Sequence, residues 1–293
     1  VSFLPSALTH LTFGNNFNRD VSVLPSFLTY LIFGDEFNKD VSKLPSSLTH
    51  LTFGFMFDKD VSFLPSALTH LTFGNNFNQD VSVLPLNLTH LIFDYAFDKD
   101  VFNLPPSLTH LTFGYKFNRD VFNLPYSLTH LTFGHKFNQD VSNLPSTLTC
   151  IVFNYCFNQE ISKLPSTLTD LTLSRDFNLK CEICSNIKYL KLNCNSPHII
   201  NNLPNSIIEL QLGALFNLQM DNLPTSIKKL IIYPTSCFNA DLNCLPDFIE
   251  ELQLNESYNK PISHIPSKLK KLKCHKNYAY KDYFPMSDIE IYI

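Results

Sequence analysis

Apolar and polar positions along this chain recur with a period of 20 residues. A Leu-Pro pair opens each unit at Leu4, Leu24, Leu44, Leu64, Leu84, Leu104, Leu124, Leu144 and Leu164. Looser copies open at Ile183, Leu203, Leu223, Leu245, Ile265 and Phe284. Within a unit the fifth, eighth and tenth positions are apolar: Leu8, Leu11 and Phe13 in the first. Alternation over His10-Leu11-Thr12-Phe13 predicts a short strand with one buried face. The short period leaves little room for a return helix, and proline at the second position of nearly every unit predicts an extended, polyproline-like return. The pattern therefore predicts a mainly β repeat solenoid of about fifteen units, with a parallel concave sheet and a helix-poor convex side. It reads as one array over 1–293, regular through 180 and divergent over 181–293, with two residues inserted before Phe238.

The remaining invariant positions fit that coil. All seven glycines fall at the eleventh position: Gly14, Gly34, Gly54, Gly74, Gly114, Gly134 and Gly213. Where glycine is missing, Asp94, Asn154, Ser174, Asn193 and Asn255 usually stand, and Asn and Asp tolerate a left-handed backbone best, so positive φ is expected there; Tyr233 and His275 break the rule and predict a different turn. Phenylalanine columns led by Phe13 and Phe17 supply the core, with like rings of successive units in offset contact, and Val21, Val41 and their equivalents close it from the return side. After the second ring comes Asn18, Asn38, Asn78 and onward, a buried ladder expected to satisfy turn backbone. Asp58 and Asp98 interrupt it and predict weak points or different donors. The aspartates from Asp20 to Asp140 are expected in turns rather than as calcium ligands.

If Leu11 points inward, the seventh and ninth positions point to the open face. The seventh reads His10, Tyr30, His50, His70, His90, His110 and His130, and nothing in the coil requires these rings. Parallel strands lie ~4.8 Å apart, so adjacent imidazoles nearly touch and their pKa values should be depressed. A neutral stacked ladder is the plainest reading; a partner-binding surface and a metal site are the others, the last without a carboxylate to complete it. Further on the same position runs Tyr189, Glu209, Lys229, Glu251, Lys271 and Glu290, so opposite charges alternate from strand to strand. That predicts register support worth about 0.2–1 kcal/mol per exposed pair, or a charged docking patch.

The segment LPSSLTHLTFG, followed by Phe and Asn or Asp at the FGxxFN spacing, resembles the FNIP, or FGxxFN, subclass of leucine-rich repeats. The resemblance is close over 1–180 and looser over 183–293. The F-N-I-P tetrapeptide itself is absent, Tyr258-Asn259-Lys260-Pro261 being nearest to it, and Asn sits two residues later than in most leucine-rich repeats. The resemblance implies a right-handed leucine-rich-repeat solenoid. It also points to social amoebae and giant DNA viruses, and to members joined to an F-box as substrate receptors for ubiquitin ligation. No F-box sequence occurs between Val1 and Ile293.

Composition narrows the function. A net charge of −4 gives no basic field for nucleic acid, and no apolar run is long enough to span a membrane. The eight cysteines lie between 150 and 274 at irregular spacing, which predicts reduced, mostly structural thiols and an intracellular location. Cys181-Glu-Ile-Cys184 is a weak zinc signal lacking an evident fourth ligand. The sequons at Asn87 and Asn255 matter only in a secreted chain. No phosphate-binding loop, dinucleotide glycine pattern or nucleophile elbow is present, so no catalytic residue, cofactor or resident metal is expected. The expectation is a non-catalytic scaffold binding a protein partner through the concave face, at His10, Tyr30, His50, His70, His90, His110, His130, Tyr189, Glu209, Lys229, Glu251 and Lys271. The alternatives are the substrate-recognition part of an F-box adaptor and a structural or coat protein. The chain opens inside a repeat, without Met, and reads as a piece of a longer protein; uncapped terminal cores would favour end-to-end dimerisation.

Overall fold

A computed structural model describes residues 4–284 and 289–292. The coils group into two units, Val1–Leu148 and Thr149–Ile293. In the first, β1 (His10–Thr12), β2 (Tyr30–Ile32), β3 (His50–Thr52), β4 (His70–Thr72), β5 (His90–Ile92), β6 (His110–Thr112) and β7 (His130–Thr132) lie side by side in chain order. Each pairs in parallel with the next at a 20-residue offset, His50 opposite His70 and Leu51 opposite Leu71. The second unit repeats the order with β8 (Cys150–Val152), β9 (Asp170–Leu173), β10 (Tyr189–Leu192), β11 (Glu209–Leu212), β12 (Lys229–Ile232), β13 (Glu251–Gln253), β14 (Lys271–His275) and β15 (Ile289–Tyr292). The predicted parallel solenoid with almost no helix is the observed fold.

Strands of three to five residues suffice because inner strands such as β3 are paired on both sides and bury a central Leu. The two ring columns meet face to face. Phe33 and Phe37 of one coil lie 3.7 Å apart between centroids, whereas Phe33 to Phe53 is 5.6 Å and Phe37 to Phe57 is 6.1 Å. Like rings are in offset contact as expected, but the tightest pair is formed within a coil. Val21, Val41 and Val61 close the core opposite them.

The return is stepped by hydrogen-bonded turns rather than by a polyproline run. Leu48 N–H donates to Pro45 O at 3.2 Å and Phe37 N–H to Gly34 O at 3.3 Å, patterns repeated from coil to coil. Proline suits the first turn position because only its carbonyl is used. The predicted aspartate turn forms where serine follows two residues on: Ser62 N–H and Oγ–H both donate to Asp60. These bonds hold Asp20, Asp40, Asp60 and Asp80 below the usual carboxylate range, the serine hydroxyl contributing most.

The expectation of left-handed backbone at the glycines is overturned: among the described residues none has positive φ, glycine or otherwise. Glycine is required by the neighbouring coil. A Cβ on Gly114 would collide with the carbonyl of Asp94, and one on Gly134 with that of Gly114. At two positions where a larger residue stands, its side chain bonds the preceding coil: Ser174 Oγ–H donates to Phe157 O at 2.5 Å, and Asn255 Nδ2 donates to Phe238 O at 3.0 Å.

The asparagine ladder exists but is half-buried or exposed, not buried. Its rung is simple: Oδ1 accepts the main-chain N–H of the equivalent residue one coil on, as from Asp58 to Asn38 at 3.1 Å and from Asn78 to Asp58 at 3.0 Å. Only an acceptor is needed, so aspartate serves as well. Asp58 and Asp98 also gain the donors the sequence called for, Gln79 at 2.9 Å and Arg119 at 3.1 Å. One element went unanticipated. Ser196 replaces the second ring in its coil, caps α1 (Pro197–Asn201) through Oγ, and lets Ile199 and Ile200 fill the core. Its Ser-Pro start is a recognisable helix signal.

Candidate interaction face

Flanking each buried leucine, two side chains per strand stand on the open face. In the first unit one file is His10, Tyr30, His50, His70, His90, His110 and His130, all in register. The rings stack: 4.2 Å from His50 to His70 and from His70 to His90, then 4.3 Å on to His110 and to His130. Tyr30 extends the stack toward His10 at 5.2 and 5.5 Å. The adjacent file, Thr52, Thr72, Ile92, Thr112 and Thr132, carries no charge.

Residues that the sequence reading passed over fix the imidazoles. Thr69 Oγ1 donates to Thr49 O at 3.1 Å and lies 2.9 Å from His70 Nδ1. A hydroxyl has one proton. Thr49 O also accepts the main-chain N–H of Thr69 at 2.9 Å and of His70 at 3.0 Å, so two arrangements compete: the hydroxyl proton on the carbonyl with the ring hydrogen on Nδ1, or the hydroxyl proton on Nδ1 with the ring hydrogen on Nε2. Thr49, Thr89, Thr109 and Thr129 repeat the relay for His50, His90, His110 and His130. In either arrangement Nε2 has no hydrogen-bond partner among the described residues at His70, His90 or His110. Burial, then the neighbouring imidazoles, push these three histidines below the ordinary value, as the stacking predicted. The signal was present in the recurrent Thr-His dipeptide.

In the second unit the charge alternation is realised. Glu209 faces Lys229, Lys229 faces Glu251, and Glu251 faces Lys271 in the ladder register. Lys229 Nζ lies 3.4 Å from Glu209 and 3.8 Å from Glu251. Glu290 departs from the expected file: β15 is shifted by two residues, so Glu290 pairs with Lys273. Tyr189 stands exposed at the head of this file, beside a shallow depression lined by Asp170, Thr172, Lys191 and Gln211.

The cysteines are all free thiols. Cys181 and Cys194 are buried, and burial pushes both thiols up to about 11, away from the reactive thiolate. Among the described residues no group of three or more His, Cys, Asp or Glu is placed to hold a metal ion. Asn255 is buried and Asn87 exposed, so of the two sequons only the latter is reachable in the folded chain. No helix among the described residues is long and apolar enough to cross a membrane.

The FNIP Repeat family pattern matches residues 19–56, 60–96, 80–116, 97–136, 120–156, 177–215, 201–234 and 238–277. Among solved structures the chain is similar to CroV588, a giant-virus protein described as a novel circular LRR protein, at 36% identity and a TM-score of 0.74. That similarity covers 98% of this chain and 50% of CroV588, so the chain spans about half the length of this relative. InlJ from Listeria monocytogenes (17% identity, TM-score 0.58, 92% of this chain and 64% of InlJ) shares the fold. So does YopM from Yersinia pestis (20% identity, TM-score 0.53, 92% and 84%). No curated protein matches the chain in sequence. With most of its length matched by the repeat pattern and a relative at 36% identity along nearly all of it, the chain belongs to the FNIP repeat family.

Proposed function

We propose that this chain is a non-catalytic protein-interaction module that binds its partner along the open face of the sheet. One observation carries the reading: in-register files of side chains stand on that face, yet the core beneath them is complete without them. Leu51, Leu71 and Leu91 do the packing, while His50, His70 and His90 are half-exposed beside them. Extended faces of this kind are how stacked repeats engage partners. In the first unit the contacts are the imidazole and threonine files. In the second they are Tyr189, Glu209, Lys229, Glu251 and Lys271.

Partner capture at neutral pH with the chain as bait tests this. His90→Glu and Lys229→Glu on the open face should abolish the captured partner, while Lys163→Glu, exposed in a turn outside the strands, should leave it. Retention of the partner by both open-face variants would refute the assignment.

A further inference from the structure

The histidine file has a property that its stacking alone does not supply. Once a ring is charged both of its nitrogens carry hydrogen, so Oγ1 of the preceding threonine accepts from Nδ1–H and turns its own proton to the carbonyl of the coil before. Nε2–H is then a donor without a protein partner. Charging the file therefore needs no ring flip, and it leaves a row of N–H donors on the open face.

The charge so created is uncompensated. The titratable groups facing His70, His90 and His110 are their own neighbours His50 and His130, with Tyr30 beyond His50. The second file on the same strands is Thr72, Ile92 and Thr112, and beneath lie Leu71, Leu91 and Leu111. No carboxylate stands on this face of β2 to β7. Like charges about 4 Å apart repel, so the file resists charging by itself and charges more readily beside an anion.

Resting on the open-face reading above, we propose that the His50–His130 file is an acid-gated site for an extended acidic peptide laid across strands β3 to β7. Four strand spacings of ~4.8 Å match about six residues of extended chain at ~3.3 Å each, so carboxylates on one side of such a peptide, ~6.6 Å apart, spread along the whole file. Binding and protonation are linked: a ligand that prefers the charged file takes up protons as it binds, and its affinity rises as pH falls. The charged Nε2–H to carboxylate bond is the stronger, charge-assisted kind.

The test is calorimetric titration of the whole chain with a capped ten-residue aspartate peptide at pH 7.5 and pH 5.5, in buffers of different ionisation enthalpy. The expected result is affinity at least about tenfold higher at pH 5.5, with net proton uptake. The chain also becomes more cationic overall at low pH, so the deciding comparison is His70→Gln/His90→Gln/His110→Gln. That variant should lose most of the gain; should it misfold, His90→Gln alone should still reduce both affinity and proton uptake. Equal pH dependence in a folded variant, absence of proton uptake, or no binding at pH 5.5 would overturn the proposal. So would binding of linear polyphosphate with none of the peptide. Because the native partner is not used, failure here leaves the neutral-pH capture experiment intact, and failure there leaves this one intact.

Discussion

Thr69 Oγ1 lies 2.9 Å from His70 Nδ1 and 3.1 Å from Thr49 O. That pair ties a half-exposed ring to a carbonyl twenty residues earlier. Replacing Thr69 by Val keeps the branched shape and removes the acceptor. The His70 ring should then lose its Nδ1 partner, read as a shift of its ring 15N resonances. Loss of one such bond should cost about 0.5–1.5 kcal/mol in unfolding free energy. Unchanged ring resonances would contradict the relay.

Stability should fall on acidification through the imidazole range. His70, His90 and His110 lie below their ordinary value of 6.5 in the folded chain. The unfolded chain, with ordinary imidazoles, then binds more protons just below that pH, so unfolding free energy rises with pH there. The stabilisation is complete above the unfolded value and declines as pH drops beneath it. Urea midpoints between pH 7.5 and 5.5 should show this slope, and His70→Gln/His90→Gln/His110→Gln should flatten it. The lowered aspartates, such as Asp60, act in the same direction only near and below 3.8, outside that window.

Gly114 separates two explanations by substitution. A left-handed requirement would make Gly114→Asn far milder than Gly114→Ala. Crowding by the Asp94 carbonyl penalises both, since each adds a Cβ. Both variants should lose about 1–3 kcal/mol in denaturant titrations, the usual range for overpacking.

Phe113 is buried between Phe93 and Phe133, at 6.0 and 5.9 Å, and stacks on Phe117 at 3.7 Å. Phe113→Ala should cost about 3–5 kcal/mol. Phe113→Leu should cost less than about 1.5 kcal/mol, because leucine already fills this position at Leu173, Leu192 and Leu212. Equal losses in thermal unfolding would mean that the ring stack, rather than filled volume, dominates.

Asn118 Oδ1 accepts the main-chain N–H of Asn138 at 2.9 Å. Asn118→Asp retains that acceptor, and Asp58 and Asp98 already serve in this way. Asn118→Ala removes it, for about 1 kcal/mol. Similar midpoints for the two variants would refute the acceptor-only rung.

The chain's own periodicity determined the parallel coil, the two ring columns, the inward leucines and the outward files from His10 to His130 and from Glu209 to Lys271. Each follows from alternation within a few residues, repeated at a spacing that lays equivalent positions side by side. What only the tertiary structure decided are relations between one coil and the next. The glycines answer to the backbone in front of them, not to their own torsions. The asparagine rung needs an acceptor and little burial. β15 slips two residues, pairing Glu290 with Lys273. The histidine rings are held by threonines whose hydroxyls reach the preceding strand. Local preference is written in neighbouring letters, whereas close approach, hydrogen-bond direction and register are settled by atoms some twenty residues apart, and the same letters are compatible with more than one outcome until those atoms meet.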